Sequence, residues 1–119
     1  MLDEKLRRVR DRVPGMRGVF LVGMDGVAAA GSGHEEPLAW EPIVAGYADL
    51  MSRATAANRE SALEDPLELI VSTRSTVVLL RGLNQGYFLL AGLDDVTVLG
   101  RARFELHKAA DELVVDLQT

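Results

Sequence analysis

Apolar residues recur along this chain at two spacings, and the alternation between them lays out the elements. Leu2, Leu6, Val9 and Val13 lie four, three and four apart, one stripe of a helix over 2–13, with Arg7, Arg8, Arg10 and Asp11 on its other faces. Pro14-Gly15 ends that helix. Val19-Phe20-Leu21-Val22 predicts a strand, and Met24-Asp25-Gly26 a tight turn, because Asp-Gly tolerates the positive φ of a hairpin. The return strand, Val27-Ala28-Ala29-Ala30, is weak by propensity and rests on the turn signal. Residues 31–37 are expected to form a polar loop. A second helix spans about Trp40 to Asn58, with Pro42 tolerated in its first turn. A connector, Ser61 to Pro66, leads into three apolar runs, 67–73, 76–81 and 87–93. Arg74-Ser75 separates the first two runs, and a loop with Asn84 and Gly86 the last two. Asp94 or Asp95 caps a final helix to Leu117, with the stripe Leu99, Ala102, Leu106, Ala109, Leu113 and Leu117.

The order is therefore α-β-β-α-β-β-β-α. Short connections between consecutive strands require antiparallel pairing. The last run is apolar on both sides, Phe88 and Leu90 pointing one way and Tyr87, Leu89 and Ala91 the other. A sheet apolar on both faces must be covered on both. The expected architecture is a single α+β domain over 1–119. It has a five-stranded antiparallel sheet, the second helix on one face and the first and third on the other.

Composition removes several kinds of chemistry. The chain has no cysteine, which excludes disulfides, thiolate metal sites and Cys nucleophiles. Its formal charge is −5, a poor match to nucleic acid or anionic membrane. Residues 1–23 carry six basic and three acidic groups, net +3, whereas residues 24–66 carry two basic and eight acidic, net −6. These are either solvated faces or surfaces that steer a partner. The charged N-terminus lacks the apolar core of a signal peptide, and the longest apolar runs fall far short of the roughly 20 residues a bilayer span needs, so no membrane insertion and a cytoplasmic setting are expected.

Catalytic groups are scarce. His34, beside Glu35 and Glu36, and His107 are the two histidines, and one histidine with two carboxylates does not supply the converging ligands of a metal site. Gly31-Ser32-Gly33 has the composition of an anion nest but lacks the phosphate-loop pattern, and the plainer expectation is a flexible loop. Asp94-Asp95 reads as a helix cap, and no nucleophile has an evident base. No catalytic residue, no metal and no cofactor are expected, and the chain is not expected to be an enzyme with its own active site.

The second helix is the informative element. At 100° per residue, Trp40, Ile43, Tyr47, Leu50 and Ala54 gather on the side expected to pack on the chain's own sheet. The opposite side collects Ala45, Ala48, Ser52, Thr55 and Ala56, flanked by Asp49 and Arg53. Small residues there let another chain approach closely, although alanine is also simply the best helix former. The run 67–73, with Leu69 and Val71, is expected at a sheet edge with Glu68 its single charge, which invites strand addition from a second copy.

With these elements in place the chain resembles the Roadblock/dynein light chain family. The resemblance rests on the element order, on V-F-L-V-G-M-D-G-V-A-A-A-G after the first helix, on the middle helix, and on D-D-V-T-V-L-G-R-A-R-F-E-L-H-K-A-A-D-E-L at the end. Gly100 within that last stretch is expected to mark close packing of the final helix on the sheet. The Trp40/Pro42 start of the middle helix departs from the family pattern. The resemblance implies a roadblock, or profilin-like, fold and a dimer with a continuous sheet. It also implies a platform of paired middle helices for a small Ras-like GTPase, as in bacterial members tied to GTPase regulation. Carried onto this chain, the platform falls at Ala45, Ala48, Asp49, Ser52, Arg53 and Ala56. Arg53 or Arg59 could serve as an arginine finger, against the plainer reading of a surface arginine. The alternatives are a structural adaptor indifferent to nucleotide and a small-molecule sensor. A sensor should hold an apolar cavity of about 300 Å³ or more.

Overall fold

The computed structural model describes residues 1–33, 39–83 and 86–117. The elements are α1 (Leu2–Asp11), β1 (Met16–Gly23), β2 (Ala28–Gly33), α2 (Trp40–Glu60), β3 (Glu68–Ser72), β4 (Val77–Gly82), β5 (Tyr87–Leu93), a 3₁₀ turn (Val96–Val98) and α3 (Leu99–Leu117). The five strands form one sheet in the order β2-β1-β5-β4-β3, antiparallel at every pairing. Both strand runs that close on short turns, β1–β2 and β3–β4–β5, became neighbours, and the β1–β5 pairing joins the two halves.

Each expected element is present, with shifted ends. Gly31-Ser32-Gly33 belongs to β2 instead of a loop. Gly31 and Gly33 escape their low strand propensity because the Phe20 and Trp40 rings occupy the space where their side chains would stand. His34, Glu35, Glu36 and Asn84 lie outside the described residues. The β1–β2 turn relies on Gly26 at φ +86° and on Asp25, whose Oδ1 accepts from the Val27 amide at 3.1 Å. Asp95 caps the entry to α3, accepting from the Thr97 amide at 2.8 Å.

Two apolar layers sandwich the sheet. On one face, α1 brings Leu6 and Val9, the turn after it Val13, and α3 Ala102, Leu106, Ala109 and Leu113, onto Val19, Leu21, Leu79, Leu89 and Leu93. On the other, α2 covers Val22, Val78, Leu80, Phe88 and Leu90. Each fully buried Leu or Phe contributes roughly 1.5–3 kcal/mol. Close packing does not explain Gly100: it is exposed, and a Cβ there would enter open space. Nothing in the structure accounts for its choice.

Candidate functional site

The orientation of α2 decides which of its residues a partner could touch. Val44, Ala48, Met51 and Thr55 face the sheet. Ala48 is only 1% exposed and sits among Val22, Val44, Met51 and Phe88, so it is removed from the outward face expected of it. Thr55 is turned inward as well, its hydroxyl donating to the Met51 carbonyl at 2.8 Å. The helix is thus rotated about a quarter turn from the sequence expectation. The reason is local. Ala48 is small enough to let the helix approach the sheet, while Trp40, Ile43 and Tyr47 settle half-buried on one flank. Leu50, expected inside, is 40% exposed on that flank.

Two distinct surfaces result. One is the apolar stripe Ile43, Tyr47, Leu50 and Ala54. Ile43 and Tyr47 pack against the same cluster as Leu69 and Val71 of β3, which are themselves half-buried. The other is the flank of small residues, Ala45, Ser52 and Ala56, with Asp49 and Arg53 along its ridge, all five exposed. It looks toward the β1–β2 turn, where the Ala45 Cα lies 3.6 Å from the Cβ position of Gly26.

The start of α2 is held by a feature that sequence reasoning missed. Gly33, Gly18 and Gly92 stand in one row across β2, β1 and β5. The Trp40 indole lies on that row, within 2.7, 2.5 and 2.9 Å of the positions where their Cβ atoms would be. The Phe20 ring flanks it, with centroids 4.9 Å apart. Isolated glycines inside otherwise apolar strands were the available signal for such a close approach.

The two sheet edges differ in kind. β3 runs in unbroken register with β4 through five pairs, Glu68–Arg81 to Ser72–Val77, and pairs with no described strand on its other side. Its single charge, Glu68, is drawn onto α3 by Arg103 Nε at 2.8 Å. Nothing typical of a protected edge (a bulge, a proline, an outward lysine) interrupts it. At β2 the register skips between Leu21 and Val22, a bulge at Ala29. The Asp3 carboxylate of α1 also accepts from the Gly31 amide there.

The two arginines of α2 make local pairs. Arg53 Nε holds Asp49 at 2.9 Å, and Arg59 grips Asp65 through Nε at 2.9 Å and Nη2 at 2.8 Å. Both candidate arginine fingers are therefore tied to carboxylates of their own chain. His107 is exposed on α3, with Nδ1 3.1 Å from Arg81 Nη2. Among the described residues no group of three His, Asp or Glu side chains is placed to hold a metal, and no helix is long and apolar enough to cross a membrane. A groove of about 830 Å³ runs beside the second half of α2, lined by Met51, Ser52, Ala56 and Arg59 and by Leu67 and Leu83 across from them. Its walls mix apolar and charged groups, unlike the apolar cavity expected of a sensor.

Hydrogen bonds from Arg59 hold the Asp65 carboxyl below its usual range, and the Arg7 guanidinium does the same to Glu4. Bonds from Thr97, hydroxyl first and amide second, lower Asp95. A carboxyl whose folded pKa is depressed contributes stability that is present above its unfolded pKa and lost as pH falls through the folded value. Thermal unfolding followed by circular dichroism should therefore show the midpoint falling as pH drops below about 4. Asp65→Asn should flatten part of that acid limb and leave the midpoint near neutrality little lower; an unchanged limb would remove this pair as a contributor.

No protein-family model matches the chain. No curated protein sequence matches it. Solved structures do. Myxococcus xanthus MglB superposes with a TM-score of 0.88 at 16% identity, over 98% of this chain and 94% of that one. A Roadblock/LC7 domain from Streptomyces avermitilis gives 0.83 at 23%, over 99% and 98%. Profilin II from Acanthamoeba castellanii gives 0.69 at 16%, over 98% of each. At these identities the likeness defines the architecture, and the architecture is shared by proteins of different roles. The chain has the Roadblock/LC7 fold, an antiparallel five-stranded sheet between helices that is also profilin-like.

Proposed function

We infer that this chain forms a homodimer whose paired α2 helices bind and regulate a small Ras-like GTPase. The observation that carries the reading is the open, regular edge of β3 beside the half-exposed stripe Ile43, Tyr47, Leu50 and Ala54. Two-fold pairing of β3 with its copy satisfies the free edge and covers that stripe in one step, a self-complementary interface. Leu69, Val71 and the stripe would be the dimer contacts. Ala45, Asp49, Ser52, Arg53 and Ala56 would be left facing outward as the platform, with Ala48 a support beneath it. The link to GTPases comes from the family resemblance, and the MglB likeness supports it at the level of fold. The acidic middle of the chain suits a partner with a basic patch. With Arg53 and Arg59 tied to carboxylates, the chain contributes contact energy and ordering of the GTPase's own catalytic groups, and needs no cofactor.

The decisive experiment is capture of the GTPase from the source organism, loaded with GTP or GDP, on the immobilised chain. Retention that depends on the nucleotide supports a regulator. Equal retention of both forms makes the chain an adaptor. Ser52→Arg should weaken capture by about tenfold while the size by light scattering stays unchanged, because residue 52 is exposed on the platform flank. Undiminished capture would show that this flank is idle.

A further inference from the structure

The sheet has a second edge, and it is closed by an unusual device. Ala28–Gly33 carries no charge and no proline, the means by which an edge most often refuses a further strand. Ala28 and Ala29 are exposed and small, so apart from the bulge at Ala29 nothing in β2 itself repels an incoming chain. What stands there is a side chain from α1. The Gly31 amide donates to Asp3 Oδ1 at 2.8 Å, across 28 residues of sequence. Gly31 sits opposite Phe20 in the β1–β2 register, but its amide is spent on Asp3, at the edge. Leu6 and Val9 seat α1 in the same apolar layer as Ala30 of β2, which fixes the carboxylate at the strand.

We propose that Asp3 is an end-stop: it holds the donor that an added strand would use, and its release opens β2 to the β2 strand of a second copy. The strand is uncharged, so antiparallel pairing with its own copy sets no like charges face to face. This end-stop does not require the β3 dimer. Where that dimer forms, the end-stop is what keeps the assembly closed, since a sheet with two open edges grows without limit and one with a single open edge ends at two copies.

Sedimentation velocity of the full chain and of Asp3→Ala, over a range of concentrations, tests it, with circular dichroism to confirm the fold. The wild-type chain is expected to keep a fixed size, and Asp3→Ala to grow with concentration, its mass about doubling or more. Adding Ala29→Lys to Asp3→Ala places a charge on the same edge and should restore the wild-type size. A folded Asp3→Ala chain of unchanged size overturns the proposal, and so does growth that Ala29→Lys leaves untouched. If Asp3→Ala does not fold, hydrogen exchange in the wild-type chain decides: the Gly31 amide should exchange at least about tenfold more slowly than an unstructured glycine, and free exchange overturns the proposal. The size of the wild-type chain separately tests the β3 dimer, so the two failures are distinguishable.

Discussion

Gly18→Val is expected to destabilise the fold by about 3 kcal/mol, lowering the thermal midpoint by roughly 10 °C. Valine is the better strand former, so backbone propensity alone forecasts the opposite sign. The clash decides. A Cβ on Gly18 would stand 2.5 Å from Cζ2 and 2.7 Å from Cη2 of Trp40, well inside van der Waals contact. The indole cannot slide along its row, because Gly33 and Gly92 already bring it as close on the neighbouring strands. Phe20 stands beside it at 4.9 Å. Lifting the ring means re-aiming the first turn of α2, and with it the platform. Chemical denaturation of Gly18→Val, Trp40→Ala and the double variant checks this cause. Without the indole, Gly18→Val should cost less than about 1 kcal/mol, a coupling of roughly 2 kcal/mol. Additive costs would mean that the ring does not explain the glycine.

Periodicity and punctuation made most of the architecture legible in the sequence. Ala102, Leu106, Ala109 and Leu113 of the α3 stripe are buried and its ends Leu99 and Leu117 half-buried, Asp95 caps where a cap is needed, and the run holding Leu69 and Val71 is an edge strand. These signals are local, and each is backed by a packing demand that points the same way. The face of α2 was not legible. Its residues are apolar or small almost all round, so two stripes a quarter turn apart compete, and the large aromatics are a poor guide to which is buried. Trp40 and Tyr47 are amphipathic and settle at the margin of the core, where one end of the ring can stay near water. Ala48 reads as outward in the sequence and is buried for the complementary reason: a small side chain looks dispensable until the distance between helix and sheet is known. The glycine row and the Asp3–Gly31 bond join residues far apart in sequence, and only strand register brings them together. Gly100 shows that a glycine in a helix does not always mark a close approach.

Leu50→Arg is expected to raise the dimer's dissociation constant by about 30-fold or more, equivalent to roughly 2 kcal/mol. Leu50 is the large apolar residue of α2 that the monomer leaves most open, at 40% exposure, and it shares its stripe with Ile43, Tyr47 and Ala54. In the proposed dimer the stripe meets its own copy across the two-fold axis, so one substitution places two arginines near each other in a desolvated seam. In the monomer the same side chain can extend into solvent, so the unfolding midpoint at low concentration should move little. That separation makes the variant informative. Analytical ultracentrifugation should show a shift toward monomer, with an unaltered circular dichroism spectrum. Val115→Arg adds the same charge at an exposed site on α3, on the opposite face of the sheet, and should leave the association intact. If Leu50→Arg associates as tightly as wild type, the stripe is not covered by a second copy, and the platform loses its geometry. If both variants dissociate alike, net charge governs the association instead of this surface. Loss from Leu50→Arg alone assigns the seam to α2 and the β3 edge beside it.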